Sequence, residues 1–182
     1  GSYVIPGLID SHVHLASFER PDNIMPAILR HALLGGVTAV RDMGGNVTRV
    51  LALARDAGPA GAASPRIYGS AVFAGPRWFA EYDAARVAYW SGADRPGTAP
   101  GVRQIDDTTN ITAAVAAAAA LGVRGIKLYS DLSPARVAEI GVAARAAGLA
   151  LWSHAVVPPS RPDEIVAAAP TSISHSDQVI WS

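Results

Sequence analysis

The feature that most constrains the fold is a regular alternation: short apolar runs rich in β-branched residues are separated by longer segments of helical period. The pattern predicts strands over residues 7–13, 37–41, 66–73, 125–129, 149–154 and 172–175. Between them it predicts helices over about 22–34, 47–57, 110–121, 134–147 and 161–168. Gly35, Gly36, Gly58, Gly122 and Gly148 each follow a helical run, where a residue tolerant of left-handed backbone is expected. Ser133 followed by Pro134 reads as an N-cap with proline at the first helical position. Repeated strand, helix, strand order implies parallel strands joined by right-handed crossovers, in either a doubly wound sheet or a (β/α)₈ barrel. A full barrel needs eight strands, so a barrel built from these six is truncated after strand 6. The expectation is one α/β domain over 1–182, with an insertion at about 75–109 that is rich in Trp, Tyr, Gly and Pro. Trp78, Phe79, Tyr82, Tyr89 and Trp90 in it either line a pocket or pack the insertion onto the outer helices.

Composition narrows the partners. Fifteen basic and fifteen acidic side chains leave no positive excess to neutralise phosphates, which sets nucleic acid aside. The longest apolar run, 113–123, is too short for the roughly 18 residues that span a bilayer, so no membrane partner is expected. The absence of cysteine excludes disulfides and thiolate ligands. The compartment expected is the cytoplasm, with a secreted or periplasmic parent as the alternative.

The stretch VIPGLIDSHVHL, residues 4–15, carries the chemistry. In a strand, alternate side chains share a face, so His12 and His14 lie side by side. His154 closes LALWSH and His175 closes TSISH. Four of the five histidines thus fall at the C-terminal ends of expected strands, the side on which parallel α/β folds gather their sites. Such convergence of imidazoles predicts a metal centre. His31, inside the first expected helix, is read as a structural or surface residue. Lys127, the only lysine, sits in GIKLY at the end of the fourth expected strand. It reads as a salt-bridge partner, a contact to an anionic substrate, or, when burial favours its neutral amine, a carbamate formed with CO2.

With GVTAVRDMGG, GIKLY, LWSHA and SISHSD in the same order, the chain resembles the metal-dependent amidohydrolase superfamily, in the branch with imidazolonepropionase-like and prolidase-like members. The resemblance implies a (β/α)₈ barrel in which His12 and His14 hold the more buried metal. It implies Lys127, as a carbamate, bridging two ions, and His154 and His175 holding the second. Two Zn²⁺ are expected because imidazoles dominate, with Mn²⁺, Co²⁺ or Fe²⁺ as substitutes. The activity implied is hydrolysis of a C–N bond in an amide, cyclic amide or dipeptide-like substrate by a metal-bridging hydroxide. Arg41 and Tyr129 are candidate substrate contacts, with Asp42 and Arg77 behind them. The family's strand-eight aspartate, ligand and general base, has no counterpart here, and Asp177 lies too close to His175 to take its place. Two other readings remain: a mononuclear deaminase with unmodified Lys127, and a non-catalytic truncated barrel. The open edges of such a barrel predict a homo-oligomer or pairing with a complementary C-terminal segment.

Overall fold

The computed structural model describes residues 2–19, 21, 23–57, 63–92 and 95–181. Its elements alternate as the sequence predicts. Strand β1 (Leu8–Val13) leads through α1 (Ile24–Leu34) to β2 (Val37–Asp42), and α2 (Val47–Asp56) leads to β3 (Arg66–Tyr68) and β4 (Ser70–Ala74). The insertion holds α3 (Pro76–Glu81), α4 (Ala84–Ser91), β5 (Thr98–Ala99) and β6 (Val102–Gln104). After it come α5 (Ile111–Ala120), β7 (Gly125–Leu128), α6 (Pro134–Ala146), β8 (Ala150–His154), α7 (Pro162–Ala167), β9 (Ser172–Ser174) and a 3₁₀ turn, Ser176–Trp181. The expected helix start at Asp22 and the expected helix-ending Gly58 lie outside the described residues.

Local chemistry sets the helix ends. The side chains of Asn46, Asn110 and Ser133 accept from the backbone N–H three residues on, at 3.1, 2.9 and 3.4 Å, each satisfying a donor that a helix start leaves orphaned. Pro76, Pro134 and Pro162 occupy first-turn positions where a missing N–H costs nothing.

One expectation needs correction. The strand predicted over 66–73 is two strands in two sheets, divided at Gly69. The first sheet has the order β1-β2-β3 and the second β5-β6-β4-β7-β8-β9. The division arises because β6, from the insertion, pairs with β4 through Val72↔Val102 on the side where β2 pairs only with β3. Every pairing is parallel except the short β5–β6 hairpin. Apart from that hairpin, the strands follow one another in chain order without the reversal that marks a doubly wound sheet.

The largest core fills the space between β4, β7 and β8 and helices α5, α6 and α7, with Phe73, Ile126, Leu128, Val137, Ile140, Leu151 and Ile165 all buried. Lys127 alternates with Ile126 and Leu128, so it faces away from those helices. In lateral register it lies between Val72 of β4 and Trp152 of β8. A second cluster packs Leu15, Leu29 and Val40 between the first sheet and its helices. A third is made by the insertion: Trp78, Val87 and Trp90 bury against Val72 and Tyr129. The insertion aromatics therefore pack as a wall. Strand β1 keeps apolar side chains in solvent, with Leu8 at 55% and Ile9 at 71% exposure. Among the described residues no helix is long and apolar enough to cross a membrane.

Candidate metal centre

The four strand-end histidines converge. His12 and His14 approach each other through their Nε2 atoms at 3.2 Å. The His12 ring lies edge-on to His175 with centroids 4.8 Å apart, and His175 lies edge-on to His154 at 4.6 Å. The imidazoles thus form a continuous row from β1 across the open side to β9 and β8. His175 takes a left-handed backbone conformation, φ 60°, unusual for a residue with a Cβ and typical of places where surrounding structure over-determines the chain. His31 lies in α1, away from this row.

Hydrogen bonds orient the ligand pair. The Nδ1–H of His14 donates to the carbonyl of Gly44 at 2.8 Å; a carbonyl only accepts, so the Nε2 lone pair is left facing His12. Asp42, 1% exposed, accepts from the N–H of Leu15 at 2.6 Å and of Gly44 at 3.1 Å. It therefore clamps the loop after β1 to the loop after β2, and burial pushes its carboxyl up to about 7 against the opposing effect of those two donors.

Beside the row, Lys127 is fully buried, and among the described residues its Nζ has no hydrogen-bond partner. Burial, then the Arg41 charge, pull its ammonium down to about 7. Burial also lowers His12 to about 4 and His154 far below the usual imidazole range, with the charge of Lys127 next in both. The His12 and His154 rings are therefore neutral at pH 7, the form that ligates metal.

Among the described residues no three His, Asp or Glu side chains form a ready-made metal cage. The donor set nevertheless fits a metal on two observations. Zinc-to-nitrogen bonds of about 2.0–2.1 Å at tetrahedral angles place two imidazole nitrogens about 3.3 Å apart, close to the 3.2 Å between His12 and His14. The orphaned Lys127 amine is the second, because a buried polar group without a partner is costly unless something absent here satisfies it.

Two expected substrate contacts have other partners. Arg41 donates from Nε to the Ser11 carbonyl at 2.7 Å and from its guanidinium to Ser172 Oγ at 2.8 Å, and it stacks over Trp152 at 5.0 Å. Trp152 lies two residues before His154 on the same face, so Arg41 sits one layer below the histidine row and ties β2 to β1, β8 and β9. Tyr129 is 7% exposed; its hydroxyl donates to the Met43 carbonyl at 3.2 Å, and its ring lies 4.7 Å from that of His154. Arg77 remains solvent-exposed in an ion pair with Glu81 at 3.1 Å, on the rim of a cleft of about 480 Å³ that Trp78, Tyr82, Ser130, Asp131 and Pro159 also line. Sequence reasoning missed Gly44 as the hydrogen-bond partner of His14; the glycine pair after β2, in MGGN, is the signal that could have found it.

The amidohydrolase family profile matches residues 3–146. The chain belongs to the amidohydrolase family. Among solved structures it is similar to an Xaa-Pro dipeptidase with methionine bound in the active site, at 21% identity and a TM-score of 0.66, covering 92% of this chain and 47% of that one. It is also similar to the bottromycin amidohydrolase, at 23% identity and a TM-score of 0.61, covering 90% and 31%. A molinate hydrolase aligns at 19% identity and a TM-score of 0.60, covering 82% and 41%. At these identities the likeness establishes the fold, and the chain spans less than half the length of each of these structures. Comparison with curated proteins gives no match.

Proposed function

We propose that the chain is the metal-binding part of a hydrolase that cleaves C–N bonds, built as six strand-helix units of a (β/α)₈ barrel. The observation that carries this reading is the row of four imidazoles beside a fully buried Lys127 amine with no hydrogen-bond partner among the described residues. Membership of the amidohydrolase family supports the reaction class.

In this reading His12 and His14 hold one divalent ion, His154 and His175 hold a second, and Lys127 joins them as a carbamate formed with CO2. When bound, such ions supply Lewis acidity and bring the pKa of water toward neutrality. The protein's own part is positional. Gly44 fixes the His14 tautomer, and Asp42 holds together the two loops that carry His14 and Gly44. Neutral Lys127 would present the lone pair that attacks CO2: the N–C bond forms as one C=O π bond breaks and its electron pair moves to oxygen, and one proton leaves the nitrogen for solvent, giving an anionic two-oxygen ligand. Zinc suits four imidazoles, with Mn²⁺, Co²⁺ or Fe²⁺ as substitutes. The substrate in this reading is a small amide or dipeptide-like molecule. The exposed apolar edge of β1 supports association with a second copy or a complementary segment.

The test is the metal content of Lys127→Ala after zinc loading. The reading expects loss of one of two ions per chain and partial recovery when a short carboxylic acid replaces the carbamate. Unchanged metal content would remove the bridging role, and one ion in both proteins would favour the mononuclear alternative.

A further inference from the structure

The second helix of the insertion reaches the histidine row. Trp90, near the end of α4, is 3% exposed. Its indole lies nearly parallel to the His14 ring, 17° between planes and centroids 6.5 Å apart in an offset stack. The Nε2 edge of His14 faces His12, with ring centroids 5.1 Å apart. Trp90 also meets Tyr129 edge-on at 5.9 Å, and Tyr129 in turn lies against His154. This one side chain therefore adjoins one end of the imidazole row directly and reaches the other through Tyr129.

The indole is itself held. Its Nε1–H donates to the Ser17 carbonyl at 3.0 Å, in the loop that leaves His14. The carbonyl of the preceding residue, Tyr89, accepts from Asn46 Nδ2 at 2.7 Å, while Asn46 Oδ1 caps α2. Trp90 is thus anchored to the loops after β1 and β2, which also carry His14 and its hydrogen-bond partner Gly44. The hydrogen bond at Nδ1 and the contact at Nε2 fix two edge atoms of the His14 ring and leave its rotation about the line between them to be set by packing. A fixed aromatic face beside the ring removes that freedom.

We propose that Trp90 is a positioning residue for the metal centre, setting the plane of His14 directly and that of His154 through Tyr129. The proposal rests on the reading that these histidines bind metal. Supporting groups around a ligating histidine typically alter metal affinity by about 10–100-fold.

The test uses Co²⁺, whose visible absorption reports coordination geometry, titrated into the full chain. Wild type is compared with Trp90→Leu, Trp90→Phe and Val87→Ala. Trp90→Leu keeps apolar volume but offers no ring plane, and it is expected to weaken Co²⁺ binding by about 10-fold or more and to shift the visible bands. Trp90→Phe restores a plane and is expected to return both toward wild type. Val87→Ala empties a buried site on the same helix, and no ring contact links Val87 to an imidazole; it is expected to lower the melting temperature while leaving the cobalt spectrum unchanged. Wild-type affinity and spectrum in Trp90→Leu would overturn the proposal, as would an equal spectral change in Val87→Ala. A wild-type chain that binds no Co²⁺ would overturn the metal reading itself and this proposal with it.

Discussion

Replacing Lys127 by methionine should make the metal-free chain more stable at neutral pH. The Nζ is fully buried and unpartnered, and burial together with the Arg41 charge lowers its pKa from an ordinary 10.5 to about 7. At 1.36 kcal/mol per pH unit, that shift corresponds to about 5 kcal/mol lost to folding at or below pH 7. Local relaxation and water penetration reduce such figures, so a gain of about 2–5 kcal/mol is the working expectation for Lys127→Met. The sign follows from the direction of the shift. A lowered lysine pKa means the unfolded chain binds the extra proton, so the cost is complete below about pH 7 and disappears as pH rises to 10.5. Urea unfolding of both chains, without metal or bicarbonate, at pH 7 and pH 10 should show a large gain at the first and little at the second. With zinc and bicarbonate at about 100 times the dissociation constant, wild type recovers about 2.7 kcal/mol by mass action that the variant cannot. A methionine variant less stable than wild type at pH 7 without metal, or a gain unaffected by pH, would refute the assignment of Lys127 as a buried amine awaiting a partner.

Asp42→Asn removes one of two oxygens that accept backbone N–H groups and should cost about 1–3 kcal/mol. Because burial raises the Asp42 pKa from 3.8 to about 7, the folded state binds the extra proton, and the wild-type advantage over the variant should fall as pH rises from 4 to 7 in thermal melts. Gly75→Ala would drive a Cβ into the backbone carbonyl of Asp131, so the melting temperature should drop by the equivalent of about 3 kcal/mol or more. Asn46→Ala loses both a helix cap and the hydrogen bond to Tyr89, whereas Asn110→Ala loses only the cap. Urea titrations should show about 1 kcal/mol for the second and clearly more for the first.

Much of this was legible in the sequence because two periodicities carry it. Apolar runs with period 2 or 3.6 marked the main strands and helices, and parallel topology alone predicts that strand-end residues meet. Hence His12, His14, His154 and His175 could be grouped although 163 positions separate the first from the last. The division at Gly69 was not legible, because it depends on β6 pairing with β4, a contact between segments about thirty residues apart with no periodic signature. The internal partners of Arg41 and Tyr129 were not legible either, because Ser172, Trp152 and Met43 lie far from them in sequence and meet them only in the folded chain. The role of Trp90 required knowing that an insertion folds back over the first strand.

The central claim, that the histidine row binds metal, is most directly tested by the zinc content of the purified chain after loading and desalting. The measurement is made on wild type, His12→Ala and His154→Ala, with the mass in solution recorded on the same samples. The account predicts about two zinc ions per wild-type chain and fewer in each variant. Equal zinc in all three, or none in a folded wild-type chain, would contradict it.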